Sequence, residues 1–94
     1  MEETRAHGEP SVVTVETFDL PELDSGVVAG ELVRWLVDPG EEVTTGQPVA
    51  EVETGKAVVE VPAPAAGTVA ERHAEAGGTV MVGGPFVSLV VADE

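Results

Sequence analysis

No cysteine occurs in the chain, which excludes disulfides and thiolate metal sites. Histidine is nearly as scarce: His7 and His73 are too few and too far apart to suggest a ligand cluster. Aromatic residues are limited to Trp35, Phe18 and Phe86, so the interior is left to Val, Leu and Ala. Trp35 reads as core or partial-core packing at a strand centre, and His73 as a surface strand residue. No apolar run approaches the roughly 20 residues of a membrane span. Positive charge is scarce too: 18 acidic residues stand against Arg5, Arg34, Arg72 and a lone lysine, Lys56, for a net charge of −14. That balance excludes a basic patch for nucleic acid. A surface this acidic stays soluble and attracts partners with basic surfaces.

The opening residues, MEETRAHGEP, are acidic and lack an apolar core. They form neither a secretory nor a mitochondrial targeting segment, and the expected compartment is the cytoplasm. Residues 1–14 are polar, contain Gly8 and Pro10, and show no sustained period, which predicts a disordered arm. Residues 15–92 read as one small domain, in which folding buries roughly 60–70% of the surface an unfolded chain exposes.

Within that domain short apolar runs alternate with Gly and Pro: Val15–Leu20, Val27–Val37, Val49–Val52, Ala57–Val61, Gly67–Ala70 and Phe86–Val91. Short Val-rich runs between turn signals predict strands and an all-β fold. The stretch Glu31–Val37 has the composition to begin a helix, but Gly30 and Pro39-Gly40 leave it too short. The chain also repeats. A shift of 37 places Gly30 on Gly67, Leu32 on Val69, Gly40 on Gly77, Val43 on Val80, Gly46 on Gly83, Pro48 on Pro85 and Val52 on Leu89. Turns that recur at one offset imply two similar β units packed face to face with quasi-twofold symmetry. Pro62-Ala63-Pro64-Ala65-Ala66 has the composition of a linker, but the repeat resumes at Gly67, so a crossover within the domain is expected.

The hairpin carrying Lys56 falls where the first unit hands over to the second. With Gly55 and Lys56 as a two-residue loop, Thr54 faces Ala57, Glu53 faces Val58, Val52 faces Val59, Glu51 faces Glu60 and Ala50 faces Val61. Alternation then puts Ala50, Val52, Val59 and Val61 on one apolar face, and Glu51, Glu53, Val58 and Glu60 on the other. Glycine at the first loop position suits a type II′ turn, which needs positive φ there. Lys56 is left at the apex, pointing into water. A primary amine that occurs once, on a tight hairpin, can be addressed without ambiguity, as a covalently modified carrier requires. An exposed amine is mostly protonated at neutral pH, so the modifying enzyme must remove the proton.

Several motifs, in order, resemble the lipoyl domain of the acyltransferase (E2) subunits of 2-oxo acid dehydrogenase complexes, within the biotinyl/lipoyl attachment family. They are Phe18-Asp19-Leu20-Pro21-Glu22-Leu23, Gly26, Val33-Arg34-Trp35-Leu36-Val37 with Gly40 and Val43, Val52-Glu53-Thr54-Gly55-Lys56-Ala57, Glu60-Val61-Pro62-Ala63-Pro64 and Gly67-Thr68-Val69. The resemblance covers about residues 16–92. It implies a flattened barrel, or barrel-sandwich hybrid, of two antiparallel sheets of about four strands each. It also implies lipoic acid in amide linkage to Lys56, with Glu53, Thr54, Gly55 and Ala57 as the hairpin read by the modifying enzyme. The implied partners are a lipoate ligase or lipoyl transferase, a thiamin-dependent 2-oxo acid decarboxylase, an acyltransferase core and a dihydrolipoamide dehydrogenase. The chain itself is expected to be a monomeric carrier without catalytic residues. Two departures stand out. Gly55 replaces the aspartate usual before the lysine, and Leu23-Asp24-Ser25-Gly26 replaces a Gly-Glu-Gly loop that lies near the lipoyl-lysine in relatives.

Three other functions compete on the same pattern. A biotin carrier usually has methionine on both sides of its lysine, where this chain has Gly55 and Ala57. The glycine-cleavage H protein is longer. An unmodified interaction module would leave Lys56 as an ordinary turn residue.

Overall fold

The computed structural model describes residues 13–92. Eight strands and no helix make up this region. One antiparallel sheet runs β1 (Val13–Asp19), β8 (Pro85–Ala92), β6 (Gly67–Arg72), β3 (Glu42–Val43); the other runs β5 (Val58–Pro62), β4 (Pro48–Glu53), β2 (Ala29–Trp35), β7 (Thr79–Met81). The two pack face to face as a flattened barrel-sandwich. β1 begins two residues before its apolar run, because the end of β8 reaches back to pair Ala92 with Val13. The rest of the expected arm, residues 1–12, lies outside the described residues. Glu31–Val37 contributes a strand, as expected, although Trp35 closes β2 and does not sit at its centre.

The quasi-twofold symmetry is visible bond by bond. Gly40 N–H donates to Val69 O at 2.7 Å, and 37 residues on Gly77 N–H donates to Leu32 O at 2.7 Å. Leu36 N–H to Val49 O is matched by His73 N–H to Phe86 O. Gly40 and Gly77 have φ of 92° and 90°, so the recurrent glycines mark recurrent left-handed turns. The first strand of each unit follows a different offset: Val15 corresponds to Val58 and Leu20 to Ala63, 43 residues apart.

One expectation needs correction. Neither sheet is a single repeat unit: β3 pairs with β6, and β7 pairs with β2. The turn at Pro39-Gly40 carries the chain across the sandwich, where Val69 N–H donates to Glu41 O. Each sheet thereby takes two strands from each unit, β1 and β3 with β6 and β8, and β2 and β4 with β5 and β7. Neither half can then close its sheet without the other. Pro62–Ala66 is the expected crossover, pinned by Ala63 N–H to Gln47 O at 2.8 Å.

The core is built from symmetry mates: Leu32 and Val69, Val43 and Val80, Val49 and Phe86, Ala50 and Val87, Val52 and Leu89, all buried. Each fully buried Val, Leu or Phe side chain contributes about 1.5–3 kcal/mol. Four of these five pairs join a larger residue to a smaller one, so the packing is not itself symmetric. Trp35 and Arg72, also mates, form a reciprocal clasp. Trp35 Nε1 donates to Ala74 O at 2.9 Å, and Arg72 donates to Val37 O at 3.3 Å. Each reaches the carbonyl two residues beyond its mate. The guanidinium sits 5.8 Å from the indole centroid, and the indole packs against Phe86 at 4.7 Å.

His73 departs from expectation. It is exposed, but it lies just past the end of β6, where the strand gives way to a turn. Its Nε2 contacts the Oγ of buried Ser88 at 2.7 Å. A cavity of about 130 Å³ lies where the mates Val49 and Phe86, Pro62 and Asp19, and Pro64 and Pro21 meet. From there β4 and β8 diverge. β4 leads to the lysine hairpin, and β8 leads to the opposite end, where Ala92 pairs with Val13.

Candidate functional site

The β4–β5 hairpin has the register expected from its alternation: Ala50 opposite Val61, Glu51 opposite Glu60, Val52 opposite Val59 and Glu53 opposite Val58. Ala50, Val52 and Val61 are buried in the core and Val59 packs against it. Glu53, Val58 and Glu60 are exposed on the outer face, and Glu51 is half-buried there. The loop closes through Thr54 N–H to Ala57 O at 3.0 Å. The Thr54 hydroxyl adds two weaker contacts, donating to Ala57 O at 3.3 Å and accepting from Lys56 N–H at 3.4 Å. One side chain thus braces both the start and the apex of the turn.

Gly55 has φ +94°, whereas Lys56 does not have positive φ. A type I′ turn needs positive φ at both loop positions, and type II′ needs it at the first alone. The signs are those of type II′. They explain why glycine precedes the lysine: an L-residue resists this backbone. Glu53, Thr54, Gly55 and Ala57 therefore converge around Lys56. Gly55 and Thr54 set the turn, Ala57 supplies the closing carbonyl, and Glu53 ends β4 beside it.

Lys56 is exposed. Among the described residues it is the one cation without an ion pair. Arg34 Nε bonds Glu51 at 3.0 Å, and Arg72 lies 3.4 Å from Asp38. The hydrogen bond to Glu51, then its charge, raises the pKa of Arg34 above its ordinary value. Arg34 is mostly exposed, so the pair orders the face more than it stabilises the fold.

Sequence reasoning missed the neighbours of this hairpin from other strands. β2 runs beside β4, with Glu31 opposite Glu53, and Ala29 reaches Met81 on β7. Val28 precedes Ala29 and its carbonyl accepts from Val82 N–H. Val28 and Met81 are both largely exposed at the hairpin end of the sheet. Val28 lies in the apolar run Val27–Val37, which gives no sign of its exposure, and the three-residue β7 leaves no periodic signal. The loop before β2 turns at Asp24, where Val27 N–H donates to Asp24 O at 3.1 Å, and thus delivers Val28 to the hairpin end.

The site contains a projecting amine on a braced turn, with no described side chain bonded to that amine and no described metal-ligand cluster. Such an amine can be modified. Comparison with known proteins agrees with this shape. Residues 16–89 match the biotin/lipoyl family, described as "Biotin-requiring enzyme". The dihydrolipoyllysine-residue acetyltransferase component of the pyruvate dehydrogenase complex of Bacillus subtilis is 41% identical over 76% of this chain and 16% of that protein. Its counterpart from Staphylococcus aureus is 38% identical over 81% of this chain and 18% of that protein. The chain thus spans less than a fifth of the length of these relatives. The lipoyl domain of the 2-oxoglutarate dehydrogenase complex from Azotobacter vinelandii superposes with a TM-score of 0.63 at 30% identity, covering 82% of this chain and 98% of that one. With a matching family pattern, sheets and lysine hairpin, the chain belongs to the biotinyl/lipoyl attachment family, as a lipoyl domain.

Proposed function

We propose that Lys56 takes lipoic acid in amide linkage and that the chain acts as the carrier domain of a 2-oxo acid dehydrogenase complex. The observation that carries this reading is the exposed amine of Lys56 at the apex of a type II′ hairpin, with no ion pair to a described residue. In the modification the Nζ lone pair attacks the carbonyl of an activated acyl donor. A C–N bond forms, the donor's leaving group departs with its electron pair, and protons are released from the ammonium. The net charge moves from −14 to −15. No described carboxylate holds the ammonium in place, so no ion pair has to be broken first.

When bound, the lipoyl group supplies a dithiolane that carries acyl groups and reducing equivalents. The chain supplies placement. The hairpin projects from a sheet anchored by Val52 and Val61, which are buried. Gly55 and Thr54 hold the apex away from the sheet. Tethering in this way raises the effective concentration of the carried group at each site it visits. The proposed partners are a lipoate ligase or lipoyl transferase, a thiamin-dependent decarboxylase, an acyltransferase core and a dihydrolipoamide dehydrogenase. Support comes from the acetyltransferase relatives and from the bare, projecting lysine.

Intact-mass measurement tests the site. The apo-protein incubated with a lipoate ligase, lipoate and ATP should gain one lipoyl group, and peptide mapping should place it on Lys56. Lys56→Arg should fold and gain nothing. A lipoyl gain by the Lys56→Arg protein would refute the assignment.

A further inference from the structure

The quasi-twofold symmetry supplies an internal control, because each backbone position of the lysine sheet occurs again in the other sheet. The two outer faces differ. On the lysine sheet Glu31 lies directly opposite Glu53, and Glu51 directly opposite Glu60. Like charges in register destabilise a sheet, and among the described residues only Glu51 has a cation, Arg34 at 3.0 Å. The mate positions hold Thr68 opposite Val90 and Thr17 opposite Ser88. The Thr17–Ser88 pair is hydrogen-bonded at 2.7 Å. The other sheet has its own carboxylates, Glu16, Asp19, Glu42 and Glu71, but they face Leu89, Pro85, Thr68 and Ser88 and not each other.

The fold therefore does not require facing carboxylates beside Lys56. Nor does it require bulky apolar groups there. Val28 is 69% exposed and Met81 55% exposed, whereas their mates are Ala65 and Thr44. Val58 and its mate Val15 are both exposed and decide nothing. Unrelieved charge and exposed apolar surface at one end of the molecule break local rules that the mate positions obey. Such breaks are expected where a surface serves a partner.

We infer that the outer face of the lysine sheet, from Glu60 across Glu53 to Glu31 with Met81 and Val28 at the hairpin end, is where the lipoate ligase seats. The inference rests on the reading of Lys56 as the attachment site. The ligase meets the carboxylate rows with arginine or lysine side chains and Met81 with an apolar patch. Position and charge select this occupant. An enzyme that acylates Nζ must cover the hairpin end, so the surface there lies against it. A basic surface removes the repulsion between facing glutamates and speeds encounter.

Initial rates of lipoyl transfer to the whole apo-chain, read by intact mass with a lipoate ligase, lipoate and ATP, test this surface. Glu31→Thr with Glu60→Thr installs the residues that the fold already accepts at Thr68 and Thr17. Glu42→Gln with Glu71→Gln removes the same two charges from the other face. The first pair should lower kcat/KM about tenfold at low ionic strength. That loss should shrink to within about twofold at 1 M salt, where the screening length is roughly 3 Å. Its melting temperature should stay level or rise. The second pair should stay within about twofold at every salt concentration. Met81→Thr should raise KM regardless of salt; an unchanged KM overturns the apolar half of the interface. Equal losses from the two charge pairs, or no loss from the first, overturn the charged half. If the unmodified sequence gains no lipoyl group on Lys56, the attachment reading itself fails, which is a separate result.

Discussion

Substitution at Gly55 isolates the backbone strain of the lysine turn. A Cβ built at this position meets nothing within 4 Å, and φ is +94°. A side chain there costs conformational strain and no packing. Left-handed backbone costs an L-residue roughly 1–2 kcal/mol, less for Asn and Asp, and most for β-branched residues. In a domain of this size each kcal/mol moves Tm by about 4–8 °C. Gly55→Val should therefore lower Tm by about 8–16 °C, and Gly55→Asn by less than about 4 °C. Gly55→Asp and Gly55→Ala should fall between. Circular-dichroism melts of the apo-proteins give the order directly. Because Lys56 follows at once, a turn that relaxes to escape the strain also re-aims the amine, so Gly55→Val should slow lipoyl transfer more than Gly55→Asn. Melts of the Val and Asn variants within about 2 °C of each other would refute the positive-φ turn.

Gly67→Ala should destabilise for the opposite reason. Its Cβ would lie 2.5 Å from Val90 O, and forcing β6 from β8 should cost about 1–3 kcal/mol in urea denaturation. Leu89→Ala, at a site with no exposed surface, should cost about 2–5 kcal/mol in the same assay, enough to leave a small domain partly unfolded. Trp35→Phe should keep the stack on Phe86 but orphan Ala74 O, at a cost of about 1–2 kcal/mol. A melt unchanged from the parent would show that the clasp contributes nothing.

Local chemistry makes the hairpin legible in the amino-acid order. A two-residue loop headed by glycine, between runs alternating Val with Glu, admits one register, because a one-residue slip would turn Val52 and Val61 out to solvent and Glu51 and Glu60 into the core. The repeat of glycines is equally legible, since left-handed turns demand the same residue each time. Other features have no local signature. β3 and β7 are two and three residues long, and such strands exist only because a partner far along the chain supplies their hydrogen bonds. Their exchange between sheets, and the placement of His73 beyond β6, follow from those partners.

By itself the amino-acid order determined the all-β class, the quasi-twofold repeat, the register of the lysine hairpin and the lone exposed amine at its tip, because each depends on neighbours within a few residues. Tertiary structure alone decided that Trp35 and Arg72 clasp each other's turns. It likewise decided that Glu31 stands against Glu53, and that Val28 and Met81 gather at the lysine end. Antiparallel pairing between distant strands brings the sheet residues together, and Trp35 meets Arg72 only when the two sheets close; separation along the chain hides both.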